Sequence, residues 1–386
     1  MTTQEAVDRL NAQIAREEAE PDFARDYEDV PRQIEAITRE WLTAILCRNV
    51  VGAEVAGFQL GDGSAGTSVR RQLIVQYNAK GRAAGLPERL FTKSTPTFHT
   101  RYINGITGTM VDEATFFNKL RPELGLEAPV SVHAAYDIER FRAIFVFEDL
   151  TVGRETEFCT AQTDVTLDRA QQMTRLMAEY HGHFWEDPRF DTTFGDLRPM
   201  SRWWRHIHKM LDRDTTHEAG MDGAIAVIPS GIMQRRQDIW RVYWEAVDEH
   251  DKAPRTLIHN DPHIGNWYIS DGRMGLCDWQ CACVGSWARD LSYSITCSLP
   301  VENRRAWEAE LLELYVAELN RNVGRQVLSM EEAWPLYRQQ MVLALYFWTD
   351  VLCHSQNLPD MQPRELTLEL IKRITIAMDD LRVLDR

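Results

Sequence analysis

Nearly every run that reads as β-strand in this chain lies before residue 151, and the chain beyond it is written in helical periods. Two β-forming runs, Glu54 to Leu60 and Ser68 to Tyr77, flank the stretch Gly61, Asp62, Gly63, Ser64, Ala65, Gly66, Thr67, which predicts a hairpin with a glycine tip. A third strand is expected over Arg89 to Ser94, a helix around Val111 to Leu120, and two further strands over Val130 to Tyr136 and Ala143 to Phe147. Ahead of them, Ile34, Ile37, Trp41, Leu42, Ile45 and Leu46 recur at helical spacing and predict an amphipathic helix over Pro31 to Arg48. Later helices are expected over Leu167 to Trp185, Ser201 to Leu211, Gly231 to Asp248, Glu302 to Asn320, Glu331 to His354 and Arg364 to Leu381. Only Thr256 to Asp278, where short apolar runs alternate with turn residues, breaks that series. The expected class is α+β: an acidic, weakly tethered lead over 1–30, a β-rich part over 31–150, and a larger helical part over 151–386 with an insertion near 194–253.

Charge and hydropathy narrow the function. The chain has 43 basic and 58 acidic residues, a formal charge of −15, with arginines scattered from end to end. No segregated basic patch is there to meet a phosphate backbone, so a nucleic-acid partner is not expected. The longest clean apolar stretch, Met341 to Trp348, falls far short of the roughly 20 residues of a membrane span. Eleven acids and five arginines in the first forty residues do not make a secretory leader, and the expectation is a soluble, cytoplasmic chain with no membrane partner. Seven cysteines without framework spacing are expected as buried thiols.

The chemistry concentrates in His259, Asn260, Asp261, Pro262, His263, Ile264, Gly265, Asn266, followed by Asp278. From Asp261 to Asn266 runs the D-x-x-x-x-N spacing of a phosphoryl-transfer loop, and a strand-turn-strand between Asn266 and Asp278 would return the second carboxylate to the same place. A hydroxyl is a poor nucleophile, so a carboxylate must orient it and take its proton: Asp261 is the expected base. An amide oxygen and a carboxylate suit magnesium, which assigns Asn266 and Asp278 as metal ligands. Upstream, Lys93 is one of only six lysines and lies on an expected strand just beyond the glycine hairpin, where nucleotide phosphates would be paired. Glu113, twenty residues on, sits on a helix that Phe116, Phe117 and Leu120 would fix, and is expected to pair with Lys93.

Together with Asp278-Trp279-Gln280, the stretch from Gly285 to Asp290 leading into Leu291 and Tyr293, and Phe147-Glu148-Asp149-Leu150, the loop from His259 to Asn266 resembles the aminoglycoside phosphotransferase and choline kinase superfamily. Within it, the branch holding ecdysteroid kinase-like and bacterial phosphotransferases is the most similar. The resemblance spans roughly residues 35 to 385. It implies a protein-kinase-like bilobal fold, ATP or GTP with magnesium, and a small-molecule hydroxyl as acceptor. Carried over by position, Lys93 meets the phosphates and Glu113 orients it. Gly63, Ser64 and Gly66 belong to the nucleotide loop, and Glu148 and Leu150 to the hinge. Many members have Gly where this chain has Asn260, and the glycine loop lacks the G-x-G-x-x-G spacing of protein kinases.

Eleven residues separate Asp278 from Asp290 and no A-P-E follows, too little for a peptide-binding activation segment, which favours a small acceptor. Trp203, Trp204, Trp240 and Trp244, with Tyr346, Phe347, Trp348 and Asp350, are expected to line its pocket, with Trp348 and Asp350 as the named contacts. That aromatic wall suits an apolar alcohol better than a cationic aminoglycoside. Three alternatives stand beside this reading: a nucleotide-binding regulator without turnover, a non-enzymatic scaffold that keeps the fold only, and an aminoglycoside-type antibiotic kinase.

Overall fold

A computed structural model describes residues 3–19 and 23–385, so part of the acidic lead, residues 20–22, lies outside the described residues. The chain divides into two units. One comprises Met1–Pro122, Pro129–Arg154 and Gln356–Met361, and the other Glu123–Ala128, Glu155–Ser355 and Gln362–Arg386. The class is α+β, with an antiparallel sheet in the smaller unit and a mainly helical larger one.

In the smaller unit α1 (Thr3–Ala19) and α2 (Arg39–Leu46) precede β1 (Val55–Ala65) and β2 (Val69–Tyr77). Then come α3 (Ala79–Ala83), β3 (Arg89–Ser94), α4 (Phe98–Thr107), α5 (Thr109–Thr115), β4 (Ser131–Asp137) and β5 (Arg142–Glu148). The strands form one sheet in the order β1-β2-β3-β5-β4, each pair antiparallel. Alternation along β2 buries Leu73, Val75 and Tyr77 on one face, and Trp41, Leu42, Ile45 and Leu46 of α2 join them in the core. Each such side chain contributes about 1.5–3 kcal/mol on burial.

Three expectations are corrected in this unit. The helix expected over Pro31 to Arg48 is a 3₁₀ turn at Ile34–Ala36 followed by α2. Thr38 divides them, because its hydroxyl accepts from the Trp41 N–H at 3.1 Å while donating to the Ala24 carbonyl at 2.6 Å. The hairpin extends further than expected. Pairing continues through Gly63, Ser64 and Ala65 after a register shift between Leu60 and Gly63, so the tip is Gly66 to Ser68. A Cβ on Gly63 would lie 2.2 Å from the Arg70 carbonyl oxygen, and only glycine permits that approach. The lead is not weakly tethered either: Ala6 and Leu10 are buried, and Glu17 pairs with Arg101 at 2.7 Å and Arg142 at 3.0 Å.

The larger unit opens with β6 (Thr156–Phe158) and α6 (Leu167–His183), then α7 (Met200–Met210), α8 (Arg213–Gly223), α9 (Ser230–Gln234) and α10 (Arg236–Glu249). Four short strands follow, β7 (Thr256–Ile258), β8 (Trp267–Ser270), β9 (Arg273–Leu276) and β10 (Cys283–Gly285). The chain closes with α11 (Ala288–Ser298), α12 (Val301–Val323), α13 (Met330–Leu352) and α14 (Arg364–Asp380). The helix expected over Gly231 to Asp248 is divided at Arg235, whose guanidinium turns to Asp238 and the Leu384 carbonyl. In this unit two helices, α8 and α11, escaped the periodic reading. Every residue of α11 is buried, so it has no polar face to mark a period. The polar α8 lies so close to α13 that a Cβ on Gly220 would sit 2.2 Å from the Thr349 carbonyl oxygen. Among the described residues no helix is long and apolar enough to cross a membrane.

Candidate active site

In the smaller unit, β3 lies beside β5 with Lys93 opposite Phe145. Phe117, in a π-helical turn that follows α5, packs edge-on against Phe147 at 4.8 Å and Phe145 at 6.5 Å. That packing seats α5 on the sheet, and Lys93 Nζ donates to both carboxylate oxygens of Glu113 at 2.8 Å. Both side chains are buried, at 7% and 3% exposure, so the ammonium is held in one place. Gly63 and Ser64 are exposed near the end of β1, Gly66 is at the tip, and Glu148 closes β5 one residue before Asp149. The Asp149 carboxylate accepts from Gln72 and Thr151, and Arg89 lies beside it, which ties the residues around Leu150 to the sheet. Burial pushes that carboxyl up, but these bonds outweigh it and hold it below the usual range.

In the larger unit β7 runs into the loop from His259 to His263, a 3₁₀ turn at Ile264–Asn266, and the β8/β9 hairpin, which ends at Leu276, two residues before Asp278. Asn260 sits at φ 66°, the left-handed region where glycine is favoured and asparagine is the usual substitute. Asn260 thus fits where many relatives of the resembled superfamily have glycine. Arg289 fixes it, donating from Nε to the Asn260 side-chain oxygen and from Nη2 to its carbonyl, both at 3.0 Å. The guanidinium is itself packed over Trp204, Tyr293 and Phe347.

Beneath this loop lies Asp290, fully buried. Its Oδ2 accepts from the His259 N–H at 2.6 Å and the Tyr180 hydroxyl at 2.6 Å, with His181 Nε2 at 3.3 Å, and its Oδ1 accepts from the Asn260 N–H at 2.7 Å. Burial pushes this carboxyl up, but the hydrogen bond from His181, with His259 and Tyr180, holds it below the usual range. His259 braces the other side: Nδ1 accepts from the Asp261 N–H at 3.2 Å and Nε2 donates to the Cys277 carbonyl at 2.9 Å, next to Asp278. His181 is thus a packing histidine, its Nδ1 accepting from Tyr315 at 2.8 Å.

Asp261 is held by neutral donors. Tyr293 donates to Oδ1 at 2.9 Å, and the Asn266 amide nitrogen lies 3.3 Å from Oδ2 and 2.8 Å from the Asp261 carbonyl. Burial pushes the Asp261 carboxyl up, which makes it a better proton acceptor. With its nitrogen engaged, Asn266 presents its Oδ1 as the atom available to a cation. The Asn266 carbonyl accepts from the Cys277 N–H at 2.8 Å, so the two strands bring Asn266 and Asp278 together. Asp278 adopts φ 61°, a turn conformation at the end of the hairpin. Among the described residues no three His, Cys, Asp or Glu side chains form a metal cage. One amide and one carboxylate oxygen fit a magnesium ion that takes its remaining ligands from phosphates and water.

The aromatic acceptor wall is corrected. Trp203 and Trp204 are buried, and their rings lie against Phe347, as core rather than as an open surface. Asp350 is buried against Thr216 and Arg213, among the helices α8 and α13. Trp348 is equally buried, but its ring meets His263, two residues after Asp261, at 5.1 Å. Tyr180, Arg289, Asp290 and Tyr293 shape the loop and were not singled out as site residues from the sequence. For the last three the signal is the stretch Arg289 to Ser294, polar at every position but Leu291, inside a helix with no exposed face; Tyr180, on α6, carries no such mark.

A model of the phosphotransferase enzyme family matches residues 107–330, a stretch that includes Glu113, Asp261, Asn266, Asp278 and Asp290 and begins after Lys93. Among solved structures, a microcompartment-associated aminopropanol kinase is 16% identical, with 84% of this chain and 92% of that one covered and a TM-score of 0.47. A choline kinase from Streptococcus pneumoniae is 13% identical (85% and 94% covered, TM-score 0.44), and an ethanolamine kinase from Plasmodium vivax is 11% identical (97% and 96% covered, TM-score 0.45). No curated protein sequence matches significantly.

Proposed function

Since the chain belongs to the phosphotransferase enzyme family, matched over more than half its length, we propose that it moves the terminal phosphoryl group of ATP or GTP to a hydroxyl of a small molecule. The observation that carries this reading is the Asp261 carboxylate, raised by burial and oriented at both oxygens by neutral donors, on a loop that also presents Asn266 Oδ1. Asp261 accepts the acceptor's proton as its oxygen attacks phosphorus. Lys93, fixed by Glu113, offers the phosphates a point charge. The hairpin at Gly63, Ser64 and Gly66 borders the phosphates, and the stretch from Glu148 to Leu150 the base. Asn266 and Asp278 would hold magnesium, which neutralises phosphate charge when bound.

The packing of Trp203 and Trp204 removes the ground for preferring an apolar alcohol, and the acceptor class is a small hydroxylated molecule, with Trp348 at its site. A screen of magnesium-dependent ATP and GTP consumption against hydroxylated metabolites and aminoglycosides, read by mass spectrometry, tests the assignment. Phosphorylated product is expected. Magnesium-nucleotide binding with no transfer to any acceptor would instead make the chain a nucleotide-binding regulator.

A further inference from the structure

His263 has an arrangement that packing alone does not require. Its ring is buried at 4% exposure, edge-on to Trp348 at 5.1 Å. The Gly265 N–H donates to Nδ1 at 3.1 Å, which makes Nδ1 the acceptor and leaves the proton on Nε2. Gly265 is needed for this seat, because a Cβ there would lie 2.9 Å from the ring's Cε1. Nε2 is thereby held 3.9 Å from Asp261 Oδ2. That separation is too long for a hydrogen bond between them and suits one oxygen atom bonded to both. The opposite oxygen, Oδ1, is already taken by Tyr293.

We infer that His263 is a catalytic residue that seats the acceptor's oxygen between its Nε2–H and Asp261 Oδ2. The inference rests on the kinase reading above and adds a specificity to it. A hydroxyl has one proton and two lone pairs. Its proton goes to Asp261 Oδ2, one lone pair accepts from His263, and the other faces phosphorus. As the new O–P bond forms, the bond from phosphorus to the bridging oxygen breaks, and its electron pair leaves with the nucleoside diphosphate. The hydroxyl proton ends on Asp261. A protonated amine has no lone pair for the His263 donor, so the seat takes hydroxyls and rejects ammonium groups at the reacting position.

Water is the smallest molecule that fits this seat, so the test needs no identified acceptor. Nucleotide affinity by calorimetry and steady-state hydrolysis of magnesium-ATP and magnesium-GTP are measured for the wild type, His263→Leu, His263→Gln and Asp261→Asn. His263→Leu is expected to lower kcat for hydrolysis about tenfold, the effect of one hydrogen bond in the transition state, at unchanged nucleotide KM. His263→Gln keeps an N–H donor and should recover most of the loss. Equal rates in His263→Leu and wild type, or equal losses in the Leu and Gln variants, overturn the inference while leaving the kinase reading intact. Hydrolysis no faster in the wild type than in Asp261→Asn also overturns it. A wild-type protein that binds no magnesium nucleotide overturns the kinase reading and this inference with it.

Discussion

Around the strand lysine, buried charge meets buried charge: Lys93 faces Glu113 and, nearby in the same unit, Glu17 faces Arg101 and Arg142. Around the loop of Asp261 the carboxylates of Asp261 and Asp290 are held mainly by hydroxyl, amide and backbone N–H groups. The difference separates two tasks. An ion pair holds one cation in place, and removing either partner strands the other in a poor solvent. Asp261, held by neutral donors, keeps its orientation without a neutralising partner, and burial raises its proton affinity, as a base requires, whereas the more heavily bonded Asp290 is held below the usual range.

The largest expected effect follows from the second arrangement. Asp261→Asn keeps the size of the side chain and removes the proton acceptor, so turnover should fall on the order of 100- to 10,000-fold. Nucleotide affinity and melting temperature should hardly move. Turnover within a few-fold of wild type would show that the raised carboxyl is not the base.

Next comes Asp290→Ala, which deprives two backbone N–H groups, the Tyr180 hydroxyl and His181 of their acceptor. Breaking such a buried network should cost about 3–5 kcal/mol in urea unfolding. A loss below about 1 kcal/mol would mean that the loop is held by Arg289 and His259 alone.

Lys93→Met should cost about 3 kcal/mol, because Glu113 is left buried without its cation. The double variant Lys93→Met, Glu113→Leu should regain most of that stability while still failing to bind magnesium nucleotide in calorimetry. Recovery of binding in the double variant would break the comparison, since the pair would then be structural only. Asp278→Ala, in the other arrangement, should abolish magnesium-dependent binding with little change in stability.

These contrasts also explain what was legible in the sequence. The sheet strands were, because β2 alternates at period two and Arg89 to Ser94 is bounded by turn residues. The Lys93 and Glu113 contact was legible as well, since a scarce residue type on a strand and an acid on an aromatic-anchored helix each leave a local mark. What escaped is non-local or lacks a period. Asp290 meets Tyr180 across 110 residues, and α11 offers no exposed face to betray a helix. The tryptophans misled because composition does not reveal which side of an aromatic ring is covered; Trp204 lies under Phe347 and two arginines.

The smallest effect concerns a buried histidine of the smaller unit that stands outside the ion pairs. His133 is buried edge-on to Tyr27 and Trp41, and neither ring nitrogen has a hydrogen-bond partner. Burial pushes its pKa down to about 4 from the ordinary 6.5. Below pH 6.5 the unfolded chain takes up a proton at this residue that the folded chain refuses, so stability falls as pH drops from 6.5 until the folded histidine titrates near pH 4. Above pH 6.5 the residue adds no pH dependence. The full window corresponds to about 3.4 kcal/mol at 1.36 kcal/mol per pKa unit. In the larger unit His250 is also pushed down to about 4 by burial, but there the Gln340 oxygen and the Ser286 N–H engage its ring. His133→Phe should therefore remove part of the acid destabilisation and leave the share of His250 in place. Urea unfolding at pH 7 and pH 4.5 measures both: the wild type should lose about 2 kcal/mol more than the variant. Equal losses would mean that the ring of His133 meets water or a partner when protonated, and that this unit buries no uncompensated polar group at that site.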